Sequence, residues 1–201
     1  MLRSLFYSII NVIIPMRTHE AQVAKLTLDQ LESIRHEDGL PYHDPRVTAL
    51  VWELKYKASR HALSLAGAFL SEDLLAIASD ELGKPLLIPV PMYAQRKHER
   101  GYNQTELLCA AALKYVGDSF DYAPHVLERI RHTVPQQTLA RTKRLNNIKN
   151  SMWVPNASQV TGRVCVVIDD VATTGATLAE AVRVLKNAGA RQVHTIALAR
   201  S

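Results

Sequence analysis

The chain has 201 residues, enough for one domain with a full core or one domain plus a small extension. Hydrophobic residues make up 47% and charged residues 21%, the make-up of a soluble globular protein rather than a disordered one. Lys plus Arg stands at 24 against 19 for Asp plus Glu, a net +5; so small an excess fits a phosphate-bearing ligand or nucleic acid and fits plain solubility equally well.

The first stretch, MLRSLFYSIINVIIPMR, has one arginine and then an apolar run, like a short signal segment. No small-residue cleavage site follows, and the run is too short to span a bilayer. It reads as a packed or surface-lying helix, and no membrane span is expected. Leu5, Phe6, Ile9, Ile10, Val12, Ile13 and Ile14 cannot all lie under one face of a short helix. They are expected to dock on the rest of the chain, on a second copy (a homo-oligomer) or on a partner. Residues 20–36 have weak helical character. The turn formers DGLPYHDP at 38–45 mark the one candidate boundary. It divides an N-terminal helical extension, 1–43, from a domain at 44–201, and removal of about the first 40 residues is expected to leave ligand binding intact.

In DPRVTALVWELKYK, Asp44 can cap, Pro45 suits the first helical position, and Val47, Leu50, Val51 and Leu54 share a face. A second apolar-rich helix over 60–79 is broken by Gly83 and Pro85. LLIPVP at 86–91 is a short buried strand, MYAQRKHERGYNQ a basic loop, and about 103–116 a helix ending at Gly117. HVLERIR at 125–131 and SMWV at 151–154 are candidate strands around a polar, basic stretch at 132–150. A strand at 163–169, a helix at 176–188 closed by Gly189 and a strand at 191–199 complete the chain. Strand–helix alternation predicts an α/β fold with a mainly parallel sheet flanked by helices.

Cys109 and Cys165 lie far apart and have no CxxC partner. A zinc site built on cysteine needs about four ligands, so no zinc is expected. The pattern reads as a reduced, cytoplasmic protein.

The densest chemistry is in RVCVVIDDVATTGATLAEAVRVLKNAGA, 163–190. An apolar strand ends in Asp169 and Asp170, where open parallel sheets bind ligands. Side chains alternate along a strand, so at least one carboxylate must face the crevice or solvent. Thr173, Thr174, Gly175, Ala176 and Thr177 then lead into a helix N-terminus, whose free N–H groups and dipole suit a phosphate. Carboxylates for hydroxyls and a loop for an anion together suit a sugar phosphate. A Walker B strand also ends in acidic residues, but Gly83-Lys84 is followed by proline and has no glycine five residues before it, so no P-loop accompanies it.

VVIDDVATTGATL resembles the 5-phosphoribosyl-1-pyrophosphate (PRPP) motif of type I phosphoribosyltransferases. LKY at 54–56, IPVPMYAQRKHERGYNQTELL at 88–108, RHTVPQQTLARTKRLNNIKNSMWV at 131–154 and HTIALAR at 194–200 narrow the resemblance to the ComF/GntX family, over about residues 45–201. Members are associated with DNA uptake in competence or with sugar-acid utilisation. Many carry an N-terminal four-cysteine zinc ribbon that this sequence lacks. The resemblance implies that Asp169 and Asp170 are the catalytic carboxylates, holding the ribose hydroxyls directly or through Mg2+ and its waters. It implies that residues 173–177 hold the 5-phosphate. Arg96, Lys97, Arg100, Gly101, Asn103 and Gln104 supply the pyrophosphate segment, with Arg100, Gly101, Asn103 and Gln104 matching an RGxNQ pattern. Arg131, Thr133, Gln137, Leu139, Arg144 and Asn147 match R-x-T-x-x-x-Q-x-L followed by R-x-x-N, in the region of a mobile loop that closes over the site in type I enzymes. Lys55 fits LKY without an evident task.

The leading expectation is therefore phosphoribosyl transfer from PRPP, with Mg2+, to an acceptor the sequence does not identify. The second is a PRPP- or nucleotide-binding accessory protein of the DNA-uptake machinery without turnover. A third, contact with single-stranded DNA through the basic segments, is weakened by an aromatic content of 6%.

Overall fold

The computed structural model describes residues 16–130 and 148–201. In chain order these form α1 (Met16–Ala24), α2 (Leu28–Glu32), β1 (Leu40–Pro41), α3 (Pro45–Tyr56), α4 (Arg60–Ser79), β2 (Leu86–Pro89), α5 (Ala94–Arg100) and α6 (Gln104–Val116). They continue as β3 (Asp121–Tyr122), β4 (Glu128–Arg129), β5 (Met152–Trp153), β6 (Val164–Ala172), α7 (Ala176–Asn187) and β7 (Gln192–Arg200). Five strands make one parallel sheet in the order β1-β7-β6-β2-β3. β4 and β5 pair antiparallel as a separate ribbon. The expected class, a mainly parallel sheet flanked by helices, is the observed one.

Alternation along the central strands sorts the core into two layers. Leu87, Val166 and Ile168 face one layer with Leu50, Leu54, Phe69, Leu70 and Leu108 from α3, α4 and α6. Leu86, Ile88, Cys165 and Val167 face the other, with Leu178, Ala181 and Leu185 of α7 and Met152 of the ribbon. This period-2 division of apolar side chains is what a sheet covered on both faces requires. α4 is long and apolar enough to cross a membrane by length and composition, but Leu65, Phe69, Leu70 and Leu74 are packed in the core.

The helix starts follow local chemistry. Asp44 Oδ1 accepts the Arg46 N–H at 2.8 Å ahead of Pro45 in α3. Thr27 and Gln30 form a reciprocal capping box on α2.

Three expectations need correction. The stretch 92–104 is not all loop: Ala94–Arg100 is helical. Its seven residues include no glycine, proline or β-branched side chain, Gln95 donates to Glu99 one turn on at 3.2 Å, and Gly101 ends the helix at φ +88°. Strand β6 does not stop at the aspartates but runs on to Ala172, because β7 keeps pairing with it at Asp169↔Ala197, Val171↔Ala199 and Ala172↔Arg200. Nor does a boundary at 43/44 separate two units. Leu40 and Pro41 form an edge strand on β7, and Val23, Leu26, Leu31 and Leu40 belong to the same core cluster as Leu50 and Leu198. His19 stacks on Trp52 with ring centroids 5.3 Å apart, and Arg35 reaches Glu72 at 2.8 Å and also pairs with Asp73. The apolar run at 1–15 lies outside the described residues.

Candidate functional site at the end of β6

The crevice arises from unequal strand lengths. β2 last pairs at Pro89↔Ile168, and Val90 N–H still reaches the Ile168 carbonyl at 2.9 Å. The chain then turns away through Pro91 into α5. β6 continues, paired on the β7 side alone, so Asp169 and Asp170 stand where one flank of the strand is uncovered.

The two carboxylates point to opposite faces, as neighbours in a strand must. Asp170 lies on the α3/α6 side. Its Oδ2 is 3.3 Å from Lys55 Nζ and accepts from Gln104 Nε2 at 3.0 Å. Its Oδ1 accepts the Val171 N–H at 2.7 Å. Burial works against charge on Lys55, but the carboxylate of Asp170, with lesser help from Tyr42 and Asp169, holds its pKa above the ordinary lysine value. Asp169 lies toward the ribbon, and its Oδ1 accepts the Asp170 N–H at 2.9 Å. Both carboxylates are buried. Burial first, then the adjacent Asp170 charge, push Asp169 up to about 7, against the opposing pull of the Asp170 N–H, Lys55 and Arg129. Arg129 itself is drawn below the ordinary arginine value by burial, is stabilised by Asp169 and is opposed by nearby Arg96. Two guanidinium groups thus lie near each other beside this strand end, an arrangement that an anion would relieve.

The segment at 96–104 divides by task. Arg100 Nη1 donates to Gln104 Oε1 at 2.7 Å, so Arg100, Gln104 and Asp170 form one chain of contacts. The Arg100 guanidinium also sits 5.4 Å from the centre of the Tyr56 ring. Lys97 is turned outward onto Glu106, 2.8 Å from both carboxylate oxygens. Asn103 is buried: it donates to the Val90 carbonyl at 3.1 Å and caps α6 by accepting the Thr105 N–H at 3.3 Å. Gly101 supplies the left-handed turn between α5 and α6. Within RGYNQ, then, Gln104 reaches the strand end and Arg100 joins it through Gln104, while glycine and asparagine build the bend that delivers them.

Beyond the strand, Gly175 stands at φ +71° as the N-cap of α7. Thr174 Oγ1 accepts the Ala176 N–H at 3.4 Å. A Cβ built on Gly175 would meet nothing within 4 Å, so the backbone here borders open space. The residues 173–177 therefore wrap the start of a 12-residue helix, whose first N–H groups face outward.

Sequence reading finds the strand end and the loop, singles out Lys55 without finding its task, and misses Arg129. Lys55 sits at the end of α3, 115 positions before the aspartate it meets, and only fold topology joins them. Arg129 lies in a stretch recognised merely as a strand. The mobile-loop candidates Arg131, Thr133, Gln137, Arg144 and Asn147 lie outside the described residues. Among the described residues no three His, Cys, Asp or Glu side chains are grouped as metal ligands.

Several known proteins are similar to this chain. Residues 110–201 match the phosphoribosyl transferase domain model. The chain is 34% identical over 161 residues to "DNA utilization protein YhgH" of Salmonella typhi, covering 79% of this chain and 69% of that one. It is 32% identical over 116 residues to "Competence protein F" of Haemophilus influenzae, covering 57% of this chain and 50% of the other. Among solved structures, a phosphoribosylpyrophosphate synthetase from Mycobacterium smegmatis superposes with a TM-score of 0.44 at 16% identity, over 71% of this chain and 38% of that one. The chain belongs to the ComF/GntX family of phosphoribosyltransferase-domain proteins.

Proposed function

We propose that the protein binds PRPP at the end of β6 and transfers its phosphoribosyl group to an acceptor, releasing pyrophosphate. The observation that carries this reading is the pairing of functions across one strand end. Asp169 and Asp170 stand before a glycine-capped helix start, with Lys55 and Arg129 beside them, Arg100 linked to Asp170 through Gln104, and Arg96 near Arg129. In this reading the N–H groups of 173–177 hold the 5-phosphate and the carboxylates accept from the ribose hydroxyls. The arginines hold the diphosphate. The C1–oxygen bond to the diphosphate breaks as the acceptor bond forms, and the diphosphate leaves with the electron pair. The protein contributes position and fixed charge.

Mg2+ belongs to this reading as a companion of the diphosphate. The strand end does not fit a protein-held Mg2+, which needs near-octahedral oxygen ligands: Asp170 is already shared by an ammonium and an amide. Contact with the ion would run through ribose hydroxyls or water. Buried, unpaired Cys109 and Cys165 suit a reducing cytoplasm. The relatives' names, "DNA utilization" and "Competence", put the biological setting in DNA uptake and use. Proteins of that machinery are the partners to look for. The test is pyrophosphate release from PRPP with Mg2+ across a panel of bases and amines. Acceptor-dependent release supports transfer. PRPP binding without release with any acceptor would favour the accessory-protein reading, and no PRPP binding would overturn both.

A further inference from the structure

The carboxylate most central to the site comes with a cation of its own. Lys55 is in the last turn of α3, and buried Trp52 and Leu54 fix that turn in the core. Its side chain is 24% exposed against 7% for Asp170, so the pair is more than a solvated surface contact. We propose that Lys55 is the resident counter-cation of the ribose-binding carboxylates. Its ammonium, in place of a directly bound divalent ion, balances Asp170 and keeps it positioned for a ribose hydroxyl, so a ribose 5-phosphate unit binds without metal. The inference rests on the reading of this strand end as a ribose-phosphate site.

Lone-pair counting supports it. An ionised carboxylate has about four acceptor sites. At Asp170, Oδ2 meets Lys55 and Gln104, and Oδ1 accepts the Val171 N–H. One site on Oδ1 is left, which matches one neutral hydroxyl donor. A divalent ion at that position would need several oxygens in fixed geometry and would sit beside an ammonium already drawn to the same carboxylate. On the opposite face, Asp169 has Arg129 and its charge close by. Arg129 only partly offsets the burial of Asp169, whereas Asp170 has its counter-charge in direct contact, so in this scheme Mg2+ is needed only where the ligand brings a diphosphate. Lys55 is a positioning residue in this scheme: it acts through Asp170.

Ribose 5-phosphate, which lacks the diphosphate, separates the two charge systems. Calorimetry is run with ribose 5-phosphate and with PRPP, each in EDTA and in Mg2+. For the wild type, ribose 5-phosphate affinity should agree within about twofold in the two buffers, while PRPP affinity should rise with Mg2+. Lys55→Met should weaken ribose 5-phosphate by about tenfold or more in EDTA, and Lys55→Arg should recover most of that loss. A purely structural lysine would not produce this rescue together with an unchanged metal response in the wild type. A wild-type affinity for ribose 5-phosphate that rises about tenfold with Mg2+ would overturn the inference and leave the functional reading standing. So would Lys55→Met binding as the wild type does. Failure of both ligands to bind in either buffer would overturn the functional reading and this inference with it.

Discussion

Asp169 and Asp170 are adjacent in sequence, yet their surroundings differ. Asp170 meets Lys55 and Gln104, whereas Asp169 is pushed from an ordinary 3.8 to about 7 by burial and its neighbour's charge. An acid whose pKa is raised by folding holds its proton longer in the folded state. Its contribution to stability is present below the unfolded value and is lost as pH rises through the folded one. Asp169→Asn keeps an oxygen for the Asp170 N–H and removes the titration. Thermal unfolding should therefore shift in the variant's favour as pH rises from 3.8 to about 7, by at most about 4 kcal/mol in total. A stability difference that stays flat over that range would mean that Asp169 titrates like an exposed carboxylate. Asn103 and Gln104 make a second contrast, because side by side in sequence they look equally functional. Asn103→Ala removes a buried donor to the Val90 carbonyl and the cap of α6, which should cost ~2 kcal/mol in unfolding experiments. Gln104→Ala should leave stability within about 0.5 kcal/mol and weaken PRPP in calorimetry, because its partners are Arg100 and Asp170.

Two glycines show how elements divide between holding the fold and serving the site. Gly67 lies where α4 crosses α6, and a Cβ there would come 2.7 Å from the Ala111 carbonyl carbon. Gly67→Ala must force the helices apart, an overpacking worth about 1–3 kcal/mol, with ligand affinity unchanged. The Cβ of Gly175→Val would meet no protein atom within 4 Å. The variant carries only the strain of a β-branched residue at φ +71°, roughly 1–2 kcal/mol, but puts its side chain into the space assigned to the phosphate. PRPP titrations should thus separate the two variants even where melting curves do not, and equal loss of affinity in both would remove the phosphate from the α7 start. The difference also explains what is legible in sequence. Strand β6, the Thr173–Thr177 segment and α7 are contiguous, so local pattern carries them. α5 is misread because its charged residues suit a loop and a short exposed helix alike, and only the φ of Gly101 decides. The Lys55–Asp170 contact joins α3 to β6 and leaves no local trace, since neither apolar periodicity nor charge spacing spans that separation.

At the scale of the whole molecule, the N-terminal segment is where sequence pattern and packing disagree most. Turn formers at 38–45 suggest a removable extension, and local composition cannot reveal that the short stretch before them is an edge strand of the main sheet. Leu40 and Pro41 pair with Ala199 and Arg200 at the far end of β7, and Tyr42 N–H reaches the Arg200 carbonyl at 2.7 Å. Val23, Leu26, Leu31 and Leu40 are buried against α3, α4 and the sheet, each worth about 1.5–3 kcal/mol of transfer free energy. Together they rival the whole stability of a typical domain, about 5–15 kcal/mol. Deletion of residues 1–41 would also leave Trp52 without its stacking partner His19. The loss would uncover the outer side of α3, the helix that carries Lys55. The deletion should therefore yield insoluble or molten protein and abolish PRPP binding through loss of the fold. Deletion of residues 1–15 alone, which spares α1, should keep the unfolding transition cooperative and the PRPP affinity within about threefold of the full chain. The comparison is read by near-ultraviolet circular dichroism and calorimetry on both truncations. A folded, ligand-binding 42–201 fragment would show that the packing of α1, α2 and β1 is dispensable and would restore the division into an extension and an independent domain.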